Sequence, residues 1–176
     1  MTSRQRILEA LPTPETLGER PAFFTTSVVP PDDLWEAFRL RLEALAGRMG
    51  TLEELATLEG PLWVDADAAA LCGLVSSTED VWDARVGISL GVCAIASHGS
   101  VVLEAGPGKA RLGALAPPVH VVLVPRDRIV ATLAEGLLSS SLRTAVIATG
   151  PSRTADIGGH LIRGVHGPGD VIVVPV

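Results

Sequence analysis

An arginine in a glycine-containing turn is the first feature of this sequence that could bind a ligand. Residues 150–157 read Gly-Pro-Ser-Arg-Thr-Ala-Asp-Ile and follow the apolar run Thr144–Thr149. This order predicts a strand, a turn and then a helix over Thr154–Ile162. The unpaired N–H groups of a new helix and the Arg153 guanidinium would together stabilise an anion. The ligand-binding residues predicted here are Gly150, Ser152, Arg153, Thr154 and Asp156.

The same segment also has a purely structural interpretation. The glycine and proline would shape a tight turn, a hydroxyl would cap the helix, and Arg153 would tie the turn to an acid such as Asp156 or Asp170. The sequence contains no Walker motif and no Gly-x-Gly-x-x-Gly segment after a strand, so neither nucleotide-binding fingerprint applies. An anion site and a structural turn therefore both remain open.

Two further turns place a histidine beside glycine. Residues 164–168 read Gly-Val-His-Gly-Pro, and residues 96–100 read Ala-Ser-His-Gly-Ser. Strand ends in one open sheet share a crevice, so we expect His98 to lie within reach of the Gly150–Thr154 turn. A lone histidine is more often an ordinary polar turn residue than a catalyst. The ligand-binding residues predicted in these turns are Ser97, His98, Gly99, Ser100, His166 and Gly167.

The sequence assigns no catalytic residue, and whether the chain is an enzyme stays open. Ser97 and His98 lack a Gly-x-Ser-x-Gly elbow and an acidic partner, which argues against a hydrolytic triad. Glu104 is either a nucleophile able to form an acyl intermediate or an ordinary acid at a strand end. The histidines show no metal-site spacing, and Cys72 and Cys93 show no paired spacing. We expect no metal and no cofactor.

Composition narrows the class of protein. Hydrophobic residues make up 47% and charged residues 19% of the 176 residues, which is typical of a folded domain. The net charge is −6 and the 14 basic residues are scattered, so nucleic acid is not an expected partner. Charges interrupt the N-terminal segment where a signal peptide would be apolar, so we expect a cytoplasmic protein. The uncharged run Val86–Leu103 contains glycines and serines and predicts strand-turn-strand, not a membrane span.

Helices and strands alternate along the chain. A helix over Ser3–Leu11 and an extended Phe23–Val29 segment form an arm, and an amphipathic helix over Asp32–Met49 ends at Gly50. Thr51 and Glu54 form a capping box. Further strands are predicted at Pro61–Val64, Ser100–Leu103, His120–Val124, Thr144–Thr149 and Val171–Val174, with a helical stretch at Ile129–Leu138. We therefore predict an α/β fold with an open, largely parallel sheet and helices on both of its faces. This fold forms one domain over residues 31–176, and residues 1–30 form an arm that precedes it.

The glycine-rich segments resemble the LUD family. The Gly150–Ile157 and Gly164–Pro168 runs stand in that family's order and spacing, and Arg111 followed by Leu115-Ala116-Pro117 resembles its Arg-then-Leu-Leu-Pro stretch. Ala96–Ser100 stands where the family usually has Ala-Asp-Thr-Gly-Thr, so Ser97 and His98 depart from the pattern. Arg111 joins the predicted ligand-binding residues by this resemblance. The likeness covers about the last half of the chain, and the short chain is similar to the lactate utilization protein C type without iron–sulfur motifs.

The resemblance implies a fold similar to sugar-phosphate isomerases and CoA transferases. It also implies a non-redox subunit or accessory protein of an L-lactate oxidation system, with a small anionic metabolite as ligand. Iron–sulfur partner proteins would carry the redox centres. The alternative is a stand-alone enzyme or binding protein for a small phosphorylated or CoA-linked metabolite, which rests on fold analogy alone.

Overall fold

A computed structural model describes five α-helices and eleven strands within residues 2–10, 32–107, 109, 111–139, 144–155 and 161–176. The helices are α1 Ser3–Ala10, α2 Leu34–Ala44, α3 Leu52–Leu55, α4 Ala66–Cys72 and α5 Leu133–Leu138. The strands are β1 Arg48–Met49, β2 Leu62–Val64, β3 Val86–Leu90, β4 Cys93–Ile95, β5 Ser100–Glu104, β6 Val119–Val124, β7 Ile129–Val130, β8 Ala145–Ala148, β9 Arg153–Ala155, β10 Leu161–Arg163 and β11 Asp170–Pro175. The extended segment predicted at Phe23–Val29 lies outside the described residues.

A five-stranded, fully parallel sheet forms the centre of the molecule. Its strand order is β1-β11-β6-β3-β2, and each neighbouring pair is parallel. The central strands β6 and β11 are apolar on both faces, as expected of a parallel sheet covered on both sides. The predicted α/β fold with an open, largely parallel sheet is confirmed.

The two faces of this sheet bury different sets of residues. On one face α3 and α4 pack through Leu55 and Ala68 against β-strand residues such as Val121. On the other face α2 packs through Phe38 and Leu42, which are 0% and 1% exposed. Helices therefore cover both faces of the sheet, as predicted.

A second, four-stranded sheet was not anticipated from the sequence. Its order is β7-β4-β5-β8; β5 pairs antiparallel with β4 and β8, and β4 pairs parallel with β7. The uncharged run Val86–Leu103 forms β3 of the first sheet and the β4–β5 hairpin of the second sheet instead of one helix. In the part of the chain that the structure describes, no helix has the length and apolarity that crossing a membrane requires.

Helix α2 begins as its sequence suggests and ends earlier than predicted. The side chain of Asp33 accepts a hydrogen bond from the Glu36 N–H and caps the first turn. The helix stops at Leu45, and Ala46 adopts φ 63°, a left-handed conformation that glycine usually takes at a helix end. An alanine gives no such signal, so Gly50 was wrongly assigned as the end of the helix. Residues Arg48–Met49 leave the helix and pair with β11.

The helix predicted over Thr154–Ile162 is wrong. β9 and β10 pair antiparallel here, with Thr154 opposite Ile162 and Arg153 opposite Arg163. The sequence carried a counter-signal in the adjacent Gly158 and Gly159, because glycine disfavours helices and a glycine pair is typical of hairpins. Residues 156–160, including the predicted ligand residue Asp156, lie outside the described part of the chain.

Candidate functional site

Two of the glycine-rich turns contact each other directly. The Ser152 N–H donates to the Pro168 carbonyl at 2.9 Å, and the Gly164 N–H donates to the Ser152 carbonyl at 3.1 Å. A Cβ on Gly167 would lie 3.1 Å from the Cβ of Ser152, so the absence of a side chain at Gly167 permits this close packing. The structure therefore brings Ser152 and Gly167 together, although they are 15 positions apart in the sequence.

These turns lie at the opposite end of the parallel sheet from the one we expected. The Gly169 N–H donates to the Pro118 carbonyl at 2.9 Å, and Pro118 immediately precedes β6. The contact places the turns at the amino ends of β6 and β11, not in the carboxyl-end crevice. The expectation failed because β8, the strand before Gly150, belongs to the second sheet. His166 lines an open groove of about 580 Å³ at this end, together with the exposed Trp82 and Val165.

The Ala96–Ser100 turn lies beside the Gly150 turn at one end of the strands of the second sheet. The Ser100 hydroxyl lies 2.8 Å from the Thr149 hydroxyl, and the β5–β8 pairing sets Val101 opposite Ala148. The exposed His98 ring contacts its neighbour Ser97, with 2.7 Å between Nδ1 and Oγ. The link between the two turns is therefore Ser100, and a contact from His98 to residues 150–154 stays a prediction.

Arg153 ties its turn to the end of α2. Its Nη2 donates to the carbonyl of Leu45, the residue that caps α2. Gly150 adopts φ +68° and packs against the same Leu45. Carbonyl groups at a helix C-terminus carry partial negative charge, so a guanidinium is stabilised there. This is the structural role considered for Arg153, with a carbonyl in place of an acid, and no helix begins at Thr154 to supply N–H groups for an anion.

A separate small cavity lies at the carboxyl ends of β2 and β3. Asp65 follows β2 and is 6% exposed, and Ser89 in β3 is 4% exposed. The Glu104 side chain at the end of β5 is also 6% exposed, and Arg111 comes from the 3₁₀-helix Arg111–Ala114. All four line the cavity, which leaves about 40 Å³ open to the centres of water molecules. Ligands of α/β proteins bind at this end of parallel strands.

Charged side chains of both signs lie in and beside this cavity. Lys109 Nζ lies 3.3 Å from Asp67 Oδ2 and 3.7 Å from Glu104 Oε2. Arg111, Asp65 and Glu104 line the cavity, and Lys109 lies beside it. The lining is mostly apolar and contains one guanidinium and two carboxylates, so it offers a ligand both a hydrogen-bond donor and hydrogen-bond acceptors.

A buried histidine lies behind the cavity wall. His120 is 1% exposed, and its Nε2 lies 3.2 Å from the Ser89 hydroxyl oxygen. Burial lowers the pKa of His120 to about 4, so the ring is neutral near pH 7. The neighbouring strand position is Gly87, where a Cβ would overlap the Gly113 carbonyl oxygen. A side chain is thus excluded at Gly87, and the 3₁₀-helix that carries Arg111 lies close to the sheet.

The region of the chain that contains these residues matches a known family. The family model described as the LUD domain matches residues 76–176, more than half of the chain. The chain belongs to the LUD domain family. The match includes Ser89, Glu104, Arg111 and the three glycine-rich turns, whereas Asp65 lies before it.

Relatives of this LUD domain carry one recurring name. The chain is 33% identical over 118 residues to lactate utilization protein C of Bacillus velezensis, covering 61% of this chain and 47% of that protein. It is 29% identical over 150 residues to lactate utilization protein C of Bacillus licheniformis, covering 80% of this chain and 58% of that protein. The chain spans about half the length of the curated relatives it matches.

The LUD domain fold also appears in a solved structure. A DUF162 family protein from Deinococcus radiodurans aligns with a TM-score of 0.62 at 19% identity, over 81% of this chain and 96% of that chain. At this identity the likeness concerns the fold alone. Because 81% exceeds the matched family segment, the shared fold extends beyond residues 76–176.

Among the predicted ligand residues that the structure describes, one lines the carboxyl-end cavity of this LUD domain. Arg111 lies there. Ser97–Ser100, Gly150 and Arg153 lie near the end of α2, and Thr154 pairs with Ile162 in the β9–β10 hairpin. Ser152, His166 and Gly167 lie near the amino-end groove. The sequence analysis did not indicate Asp65 or Ser89, and it considered Glu104 as either a nucleophile or an ordinary acid at a strand end. A signal existed: an acid directly follows the strand Leu62–Val64, and another ends the strand Ser100–Glu104.

Proposed function

We propose that this LUD domain is a non-redox component of an L-lactate utilization system and contributes a small-anion site to it. The observation that carries the proposal is the likeness to several proteins named lactate utilization protein C, including the two Bacillus proteins. Iron–sulfur partner proteins would transfer the electrons. In support, the two cysteines of this chain, Cys72 and Cys93, are too few for the four thiolates of a typical cluster.

Arg111 is the best-supported anion contact of the proposed site. It is the predicted ligand residue that lines a cavity at the carboxyl ends of parallel strands. A guanidinium binds a carboxylate through two parallel hydrogen bonds, which fixes the orientation of the ligand. Arg153 is a weaker candidate, because its guanidinium already contacts the Leu45 carbonyl.

Gene deletion in the source organism tests the system-level proposal. The deletion strain should fail to grow on L-lactate as sole carbon source and should grow normally on glucose. Wild-type protein expressed in trans should restore growth, and the Arg111→Ala variant should not. Arg126→Ala is the matched control, since Arg126 is exposed outside the cavity. Normal lactate growth and intact lactate oxidation in the deletion strain would contradict the proposal.

A second candidate function is a stand-alone acyl- or phosphoryl-metabolite enzyme. The observation that favours it is Glu104, whose carboxylate lines the cavity at a strand end and could act as a nucleophile. The purified chain should then turn over a sugar phosphate or an acyl-CoA without any partner protein. Inertness across such a panel, together with copurification of iron–sulfur proteins from lactate-grown cells, favours the first proposal.

A further inference from the structure

We propose that the groove at the amino ends of β6 and β11 binds a segment of a partner protein that carries apolar side chains and a basic residue. This amino-end groove is lined by Trp82, Leu112, Leu115, Val165 and Asp170, together with glycines, His166 and other small residues. Its walls bury the apolar side chains of the segment, and its carboxylate pairs with the arginine or lysine. The assignment does not depend on the proposed function.

The amino-end groove exposes several large apolar side chains to solvent. Trp82 is 69% exposed and Val165 is 54% exposed, and Leu112 and Leu115 are 43% and 42% exposed. Single exposed apolar residues are normal, whereas several that line one groove form a patch, and such patches mark interaction sites. Tryptophan is also enriched among the residues that contribute most to protein–protein binding. The groove therefore has the composition of a protein-binding surface.

The size of the groove suits a short segment of chain. Its volume is about 580 Å³. Clefts that accept ligands measure roughly 300–1,000 Å³, so several side chains fit. Because the groove is open, the backbone of a bound segment can stay in contact with water while its side chains enter.

Backbone hydrogen bonds hold the walls of the groove in place. The Gly169 N–H donates to the Pro118 carbonyl at 2.9 Å, and the Ala116 N–H donates to the Leu112 carbonyl at 2.8 Å. A preformed site loses little conformational entropy when its partner binds. The groove therefore does not have to be ordered by the segment that fills it.

The charge around the groove is acidic. Asp170 lines the groove, and the exposed Asp80 and Asp83 lie on either side of Trp82 in the sequence. No lysine or arginine is among the lining residues. Among the described residues, none of these three carboxylates forms an ion pair. A basic side chain is therefore attracted to the groove, and a guanidinium can in addition stack on the Trp82 ring.

A basic partner fits this surface better than a second copy of the chain. Each copy carries a net charge of −6, so two copies repel each other and bring acidic groups together at the groove. Arg163 directly precedes the lining residue Gly164, but it does not itself line the groove. Charge complementarity therefore favours a segment of a different protein.

The groove shares one wall with the carboxyl-end cavity. Leu115 lines both. Leu112 lies in the 3₁₀-helix Arg111–Ala114, which also carries the cavity residue Arg111. A segment bound in the groove therefore contacts the same short helix that presents Arg111 to the cavity.

Selection of heptapeptides from a random display library on the immobilised full chain tests the proposal. We expect the selected peptides to combine leucine, phenylalanine or tryptophan with at least one arginine or lysine. A fluorescently labelled synthetic copy of the best peptide is then titrated by anisotropy. Trp82→Ala should weaken its binding by about 30-fold or more, and Trp82→Phe should restore most of the affinity.

A charge variant and two matched controls complete the titration. Asp170→Asn should weaken binding of the peptide by about 2- to 5-fold, because an exposed ion pair is lost. Leu138→Ala and Asp127→Asn change exposed side chains outside the groove and should match wild type.

The opposite outcomes are equally clear. Acidic peptides, no selected peptide, or equal binding to wild type, Trp82→Ala and Asp170→Asn overturns the proposal. Sedimentation equilibrium tests the other occupant, since a wild-type dimer that Trp82→Ala dissociates would show that a second copy covers the groove. The composition of the selected peptides is read on wild type alone, so a folding defect in a variant leaves the test intact. All these readouts use purified protein, so they fail or succeed independently of growth on L-lactate.

Discussion

The buried His120 predicts that acid destabilises the protein well above the range in which carboxylates titrate. Its pKa falls from 6.5 to about 4 on folding because burial penalises the charged ring. The unfolded chain therefore binds the proton more tightly than the folded chain does. Stability is full above pH 6.5 and is lost progressively as the pH falls from 6.5 towards 4.

The shift sets the size of the expected effect. The fall in the pKa of His120 from 6.5 to about 4 corresponds to about 3 kcal/mol in the low-pH limit. Between pH 7 and pH 5 the expected loss in the free energy of unfolding is about 2 kcal/mol. The pKa values of Glu36 and Glu54 are lowered from 4.5 by hydrogen bonds from Arg39 and Arg48. Their stabilisation is lost mainly below pH 4.5, outside this window.

Urea unfolding at pH 7, 6 and 5 measures this dependence. The matched variant is His120→Gln, which keeps a polar group near Ser89 and has no proton to gain in this range. The wild-type free energy of unfolding should fall by about 2 kcal/mol more than that of the variant, whatever the stability of the variant at pH 7. Parallel pH dependence of the two proteins would refute a neutral buried imidazole at this position.

Three further substitutions test other parts of the structure. Gly87→Ala should lower the free energy of unfolding by about 1–3 kcal/mol, because the added Cβ would overlap the Gly113 carbonyl oxygen. It should also weaken carboxylate binding by displacing the 3₁₀-helix that carries Arg111. Urea unfolding measures the first effect, and calorimetry measures the second. Arg153→Ala should lower the free energy of unfolding by about 1 kcal/mol, because the hydrogen bond to the Leu45 carbonyl is lost. The thermal shift caused by lactate, sulfate or phosphate should be the same in the variant as in wild type. Loss of that shift in the variant would indicate that Arg153 contacts the anion. Leu42→Ala should lower the free energy of unfolding, measured in urea, by about 2–5 kcal/mol. The control Leu40→Ala changes a side chain on the same helix that is 54% exposed, and it should change stability by under about 0.5 kcal/mol. Equal losses in the two variants would contradict the packing of α2 on the sheet.

The sequence predicted the parts of the fold that depend on local pattern. The apolar runs of β6 and β11 and the Thr51–Glu54 capping box are confirmed, because burial on both faces and capping each leave a short-range signature. The second sheet was missed because the order of its strands depends on long-range pairing. β8 has the composition of a parallel core strand and yet pairs antiparallel with β5.

The sequence indicated the types of residue in the candidate site, but it did not indicate which of these residues lie together. The glycines at 150 and 167 indicated turns, and the structure places both in turns with tight contacts. The Arg153 site relied on a helix that is a hairpin, so its central premise failed. Asp65, Ser89 and Arg111 meet only through the packing of β2, β3 and the 3₁₀-helix, which no local pattern encodes. His120 stands inside an apolar run, and its partner Ser89 lies on the neighbouring strand.

The lengths of the two edge strands have a consequence for aggregation. The five-stranded sheet ends at β1, with two residues, and at β2, with three residues. An edge strand exposes unpaired N–H and C=O groups that another chain can join by adding a strand, and short edges limit such pairing. The long apolar strands β6 and β11 are each flanked on both sides by other strands. As long as the sheet stays intact, the sequences with the greatest tendency to form intermolecular β-structure are therefore kept away from other molecules.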